Sequence, residues 1–409
     1  MSIHTHKSEA HSCAIFYHED LTLLILPSLF SKAVADKGII WSKIKGFNKA
    51  GMRRDQIDEN EIPDSGQIEI HNRLKNFLKW IVSYSKENEK VSLDRHHNLP
   101  EGILNYYLND YLVGEQKSST LSINKNLTAL RGYYDYLALT GFTNSKNLFL
   151  YPDYKEAARR NTKSRTSVKY LSLALRTILY RNTTSLKDEL LLRSAGEIGL
   201  RSKENQGLVL NDFTVGGKRY PGFESLFKQM DKEGEQPEFE FHLQSKFTKG
   251  ASKARSRTLY IHRTLLVKYR RYFEEERPES TSDTLLVSNA KANRGDSITK
   301  RSASEAFTKT KKTVLAMQER DELEGTGQAL DDDHTHHVLR HSSITDFFYD
   351  NCKNGNIAFD DVTTTSQVYL ATAKFAGHKV DNKYAASTTK EYIHSCWERE
   401  RLEQGNVDA

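Results

Sequence analysis

Apolar residues recur at helical spacing through much of the chain's first third. Leu74, Phe77, Leu78 and Ile81 fall on one helix face, Leu104, Tyr107, Leu108, Tyr111 and Leu112 on a second, and Leu127, Leu130, Tyr134 and Leu137 on a third. Pro100 stands near the start of the second run and Gly141 just past the third, where such residues begin and stop helices. The pattern predicts at least three amphipathic helices. A different period appears later: Phe239, Phe241 and Leu243 alternate with Glu240, His242 and Gln244. Thr258 to His262 alternates again beyond a polar turn containing Gly250, which predicts a two-stranded hairpin with Lys246 where the first strand finishes. Ser185-Leu186-Lys187-Asp188 resembles a capping box, opening a helix through Leu190, Leu191 and Ile198 that delivers Arg201 at its end. Positions 337, 340, 344 and 347 share one helical face with apolar Ile344 and Phe347, so His337 and Arg340 are predicted to point inward. Helices with a small antiparallel sheet make the fold class mainly α, α+β.

A length of 409 residues suggests two or three domains. Residues 1–66 read as an arm or cap of open role, with an apolar stretch from Leu21 to Leu29 followed by Lys43, Lys45, Lys49, Arg53 and Arg54. Residues 67–154 are the helical segment. Residues 155–169, with Arg159, Arg160, Lys163, Arg165 and Lys169, are charged and loosely periodic, as a linker is, and residues 170–409 form the remainder. Sixty basic against 54 acidic residues leave a net charge of +6, a mild excess that agrees with a phosphate-bearing partner without proposing one. Cys13, Cys352 and Cys396 show neither disulfide nor metal spacing, which points to a reducing setting. The longest apolar run, Leu21 to Phe30, is short and interrupted by Pro27 and Ser28, and the first residues do not read as a signal peptide. A cytoplasmic protein without a membrane partner is expected.

Candidate chemistry lies in four short segments. Gly199-Leu200-Arg201-Ser202-Lys203-Glu204 supplies one arginine. His337-Val338-Leu339-Arg340-His341 supplies a second, with a histidine one turn before it. Ala376-Gly377-His378 supplies another imidazole, and Thr388-Thr389-Lys390-Glu391-Tyr392-Ile393-His394 places one of the chain's 20 tyrosines. A phenol has a pKa near 10, so a tyrosine nucleophile needs cations to stabilise its phenolate. Two guanidiniums can each fork onto the non-bridging oxygens of a phosphate. With those cations, neither metal nor cofactor is required. The run Asp331-Asp332-Asp333-His334-Thr335-His336-His337 followed by His341 admits a metal reading, since His337 and His341 are one turn apart, but that reading leaves Arg340 and Tyr392 idle.

In their order, the segments GLRSKE, HHVLRH, AGH and TTKEYIH resemble the tyrosine recombinase (phage integrase) family, whose pattern is Arg, Lys, His-x-x-Arg, His or Trp, Tyr. The resemblance covers roughly residues 185 to 396. It implies that Arg201 and Arg340 grip a scissile DNA phosphate, that Glu204 steadies the first arginine's turn, and that Tyr392 is the nucleophile. His337 and His378 match the two positions that hydrogen-bond the phosphate or assist proton transfer. The family's hairpin lysine, which protonates the departing 5′ oxygen, matches Lys246, with Lys249 as rival because Lys249-Gly250 resembles a family variant. The resemblance further implies a helical core-binding domain over residues 67–154 that clamps double-stranded DNA, a linker at 155–169, a catalytic domain over 170–409, and a homotetramer on two sites. Recombination would proceed through a 3′-phosphotyrosine and serve integration or recombination of a mobile element, with integration, excision, resolution and transposition left open. Spacings longer than in compact members imply loop insertions, with Asp321 to Asp333 and Asn351 to Gln367 as candidates. The tail after Tyr392 holds a helix-capable stretch, Trp397 to Gln404, suited to docking on a neighbouring protomer. The alternatives are a type IB topoisomerase, which usually has lysine where His337 stands, and an inert DNA-binding relative.

Overall fold

The structure, a computed structural model, describes residues 3–8, 13–47, 53–162, 170–248, 256–323, 327–378, 380–381, 384–385 and 395–405. Tyr392 and Lys249 lie outside them, as do the last residues of the basic 155–169 stretch. The chain divides into two compact units, Met1–Arg165 and Thr166–Ala409.

In the first unit, strands β1 (Ile3–Lys7) and β2 (Ala14–His18) pair antiparallel, and β3 (Ile39–Phe47) pairs with β4 (Arg53–Glu61). Among the described residues its α-helices are α1 (Ile25–Lys37), α2 (Asp64–Tyr84), α3 (Glu101–Tyr106, continued by a wider turn over Tyr107–Glu115), α4 (Thr120–Leu139) and α5 (Pro152–Asn161). The expected stripes are the buried faces: Leu74, Phe77, Leu78 and Ile81 on α2, Leu104, Tyr107, Leu108 and Leu112 on α3, and Leu130, Tyr134 and Leu137 on α4. One core takes all of them together with Ile3, Phe16, Phe30, Val34 and Trp41, so the residues before position 62 contribute to the same interior as the helices. Ala158 on α5 joins that core, while Lys155, Arg159 and Arg160 on the same helix are exposed.

The second unit is mainly helical: α6 (Leu173–Arg181), α7 (Leu186–Gly196), α8 (Phe223–Lys232), α9 (Arg263–Arg271), α10 (Ser302–Glu319), α11 (His337–Asn354), α12 (Gln367–Phe375) and α13 (Cys396–Gly405). Two-stranded antiparallel pairs interrupt them: β5 (Phe213–Val215) with β6 (Lys218–Tyr220), β7 (Glu238–Leu243) with β8 (Arg257–His262), and β9 (Val380–Asp381) with β10 (Tyr384–Ala385). The predicted hairpin is β7–β8, in register from Glu238 opposite His262 to Leu243 opposite Arg257. Its inner residues Phe239, Phe241, Leu243, Leu259 and Ile261 belong to the unit's core, as period-two alternation requires. At the start of α7, Ser185 Oγ accepts from Asp188 N at 3.1 Å, the side-chain cap read from the sequence. The helix ends at Gly196, sooner than expected, and the chain bends at Gly199 with φ +63°, a left-handed conformation that suits glycine. Arg201 therefore stands beyond α7 rather than on it. The candidate insertion from Asn351 to Gln367 begins as the last turn of α11 and includes a short turn at Phe359–Asp361. The C-terminal α13 packs on α11 of its own chain: Arg399 pairs with Asp346 at 3.3 Å and Asp350 at 2.8 Å, and Cys396 shares a small buried cluster with Phe348 and Cys352. No described helix is long and apolar enough to cross a membrane.

Candidate functional site

The bend at Gly199 sets up the first arginine. Arg201 has extended backbone angles and caps a short 3-10 turn, Ser202–Gly207, in which Glu204 points back toward it. The Glu204 carboxylate accepts from the Arg201 backbone N–H at 2.9 Å and from Arg201 Nη1 at 2.6 Å. Two bonds to one residue fix both the turn and the guanidinium, while Arg201's side chain stays 23% exposed.

Arg340 arrives from the far side, on the first turn of α11, and is fully buried. Its Nη1 donates to the Gly199 carbonyl, its Nη2 donates to the Ala376 carbonyl, and Nη1 lies 3.8 Å from Glu204 Oε2. Arg201 Nη2 donates to the same Ala376 carbonyl at 3.5 Å. Segments some 140 and 175 residues from Arg201 thus meet around one carboxylate and one carbonyl. His337 departs from its expected place. It is exposed and stacks edge-on against His341 at 4.5 Å, and the inward histidine is its neighbour His336, 5% exposed, with Nε2 3.4 Å from the Leu191 carbonyl. Because α11 begins at His337, residue 336 precedes the helix and escapes the period that the stripe assumed.

A third arginine, missing from the sequence reading, completes the cluster. Arg257 opens β8 with its side chain 7% exposed; Nη2 donates to Glu204 Oε2 at 2.8 Å and to the Gly199 carbonyl at 3.1 Å, and Nη1 donates to the Phe375 carbonyl. Its signal was present, since Arg257 falls in the inward phase of the alternation with Leu259 and Ile261. Lys246 lies in a short turn, Ser245–Phe247, directly after β7. It is exposed with Nζ 4.9 Å from the Phe247 ring centroid. That turn packs closely on the Arg201 turn, for a Cβ added at Gly207 would lie 2.6 Å from Leu243 and 2.8 Å from Phe247.

Charge explains the protonation states. Burial alone would raise the Glu204 carboxyl, but Arg257, Arg340 and Arg201 outweigh it and hold the group down to about 2. His378 follows the left-handed Gly377 at the end of α12. Burial first, then the field of Arg340, Arg201 and Arg257, pushes its imidazole down to about 3. Burial likewise lowers His336 to about 4, with Arg340 adding to the effect. One carboxylate among three guanidiniums leaves a surplus of positive charge beside a neutral imidazole, an arrangement suited to an anion. The acidic run ahead of α11 forms its own local structure: ligand-type atoms of Asp331, Asp333 and His334 lie within 4.8 Å of one another, and Lys311 donates to the Asp332 and His334 carbonyls.

No family model matches this chain, and no curated protein matches it. Among solved structures, it is similar to an integrase of the Tn1549 transposon in complex with circular intermediate DNA, at 12% identity and TM-score 0.47, over 92% of this chain and 98% of that one. It is similar to a lambda integrase dimer bound to a core site, at 12% identity and TM-score 0.43, over 82% and 90% of the two chains. It is also similar to XerA recombinase, at 14% identity and TM-score 0.36, over 83% and 92%.

Proposed function

We propose that this protein is a site-specific DNA recombinase of the tyrosine recombinase class, acting on double-stranded DNA in the integration or recombination of a mobile element. The observation that carries the reading is the meeting of three motif segments distant in sequence, the Arg201–Glu204 turn, Arg340 and the His378 turn, around shared acceptors. In this reading Tyr392 attacks the scissile phosphorus, the bond from phosphorus to the 5′ oxygen breaks, and Lys246 gives that oxygen a proton. Lys249 is the other lysine for that step. Arg201 and Arg340 take up charge on the non-bridging oxygens, each such donor contributing on the order of 3 kcal/mol. His337 and His378 hydrogen-bond the phosphate or assist proton transfer at the nucleophile. A 5′-hydroxyl from a partner strand then reverses the step without metal or ATP, and four protomers on two sites would exchange strands pairwise. Residues 67–154 would supply the second jaw of a clamp on DNA.

Arg340 sets a requirement. Its Nη1 and Nη2 each donate to a backbone carbonyl, and a phosphate that takes over the Nη2 bond requires the Ala376–His378 turn to yield.

The test is a duplex selected from a randomised pool for binding to the protein and nicked so that the cleaved strand diffuses away. Wild type is expected to yield a denaturation-resistant protein–DNA band and Tyr392→Phe none. A band that persists in Tyr392→Phe overturns the nucleophile. Binding without any wild-type band favours an inert DNA-binding module, and relaxation of supercoils without strand exchange favours a type IB topoisomerase.

A further inference from the structure

We propose that Arg257 is a positioning residue of this site, a third guanidinium that locks the hairpin, the Gly199 bend and the end of α12 into the geometry that Arg201 and Arg340 need. The inference rests on the phosphodiester reading above and adds to it a residue outside the motif set.

The acceptors make the case. Glu204 is shared by all three arginines, the Gly199 carbonyl by Arg257 and Arg340, and the Ala376 carbonyl by Arg201 and Arg340. Arg257 alone among the three adds the Phe375 carbonyl, the last residue of α12. Its fork therefore ties β8 to the turn that presents His378 and to the turn that presents Arg201. The Ala376–Gly377 turn closes over its stem: a Cβ at Gly377 would stand 3.0 Å from Arg257 Cδ and 3.2 Å from Nε. Elsewhere on β8 the inward register holds Leu259 and Ile261, and an apolar residue at 257 would avoid desolvating a charge. Holding a buried cation there makes sense for geometry and field rather than for stability.

The substitutions Arg257→Met and Arg257→Lys separate these roles. Because Glu204 retains Arg201 and Arg340 in either variant, Arg257→Met is expected to keep the wild-type melting temperature and DNA affinity. Its adduct-forming rate on the selected nicked duplex should fall about 100-fold, the scale of a small misplacement of reacting groups. Lysine keeps the charge but cannot fork onto several acceptors, so Arg257→Lys should recover part of the rate and sit about tenfold below wild type. His378 followed by NMR gives a second readout: its titration midpoint should rise in Arg257→Met and stay low in Arg257→Lys. The groups that set this midpoint are Arg340 from α11, Arg201 and Glu204 from the 3-10 turn, and Arg257 from β8.

Wild-type rates in both variants overturn the proposal, and so does a loss that vanishes when rates are expressed per folded molecule. If Arg257→Met does not fold, Arg257→Lys decides: a wild-type rate sinks the idea, and a reduced rate at unchanged melting temperature upholds it. Absence of an adduct from wild type counts against the phosphodiester reading instead; the His378 titration then still tests the linkage to Arg257.

Discussion

Glu204 carries more of the site than any other single side chain, because three guanidiniums and one backbone N–H converge on it. Glu204→Gln keeps the shape and removes the charge, leaving buried cations without a counter-ion, so it should destabilise the second unit by about 3 kcal/mol in urea unfolding at pH 7. Its folded pKa lies below its ordinary value of 4.5, so the ionised carboxylate's contribution is fully present above that value and is lost as pH falls toward about 2. The difference between wild type and Glu204→Gln should accordingly shrink across that acid window, and a difference that does not change with pH would sink the electrostatic account. Arg201, Glu204 and Arg340 were legible in the sequence because each sits in a short ordered motif. Arg257 was passed over although it shares the inward phase of β8 with Leu259 and Ile261, since it belongs to no short ordered motif and its partners lie far off in sequence. His337 was misplaced because two successive imidazoles, His336 and His337, at a helix start leave the register open by one residue, and about 100° of rotation separates neighbours on a helix.

Elements were more legible than sites where periodicity is local. The α2, α3 and α4 stripes and the β7–β8 alternation followed from spacing, because each buries one face on a core. The contribution of residues 3–62 to the first core did not follow, since it depends on pairings remote in sequence. Two glycines put the element scale to test. Gly222 caps α8 where an added Cβ would lie 2.2 Å from the Leu210 carbonyl oxygen and 2.4 Å from that of Asn211. Gly222→Ala must shift backbone and should destabilise the second unit by about 2 kcal/mol. Gly102, in the first turn of α3, has open space instead, with nothing within 4 Å of where an added Cβ would lie. Gly102→Ala should stabilise the first unit by about 0.5 kcal/mol through helix propensity. Urea unfolding of each variant, followed for the unit concerned, checks both signs.

At the scale of the molecule, both units bury neutral histidines. In the first, His96 Nδ1 lies 2.6 Å from the Leu93 carbonyl, which can only accept, so Nδ1 carries the proton and Nε2 accepts from Tyr133 at 2.7 Å. Burial holds His96 and His71 at about 4, as it does His336 in the second unit. Each takes up a proton near 6.5 when unfolded and resists it when folded, so stability is complete above 6.5 and declines as pH falls toward 4. The slope approaches about 1.4 kcal/mol per pH unit for each histidine. Denaturation midpoints of both units should therefore drop between pH 7 and pH 5, and a flat profile for either contradicts its buried-histidine account. The Ala376 carbonyl, which accepts from Arg201 and Arg340 together, has a consequence for selectivity. Any anion entering there competes with an oxygen of the chain itself, present at a very high effective concentration. A free phosphate brings no other contacts to offset that competitor, whereas under the proposed function a phosphate embedded in duplex DNA brings many, so millimolar inorganic phosphate should leave the proposed strand-cleavage rate unchanged at constant ionic strength.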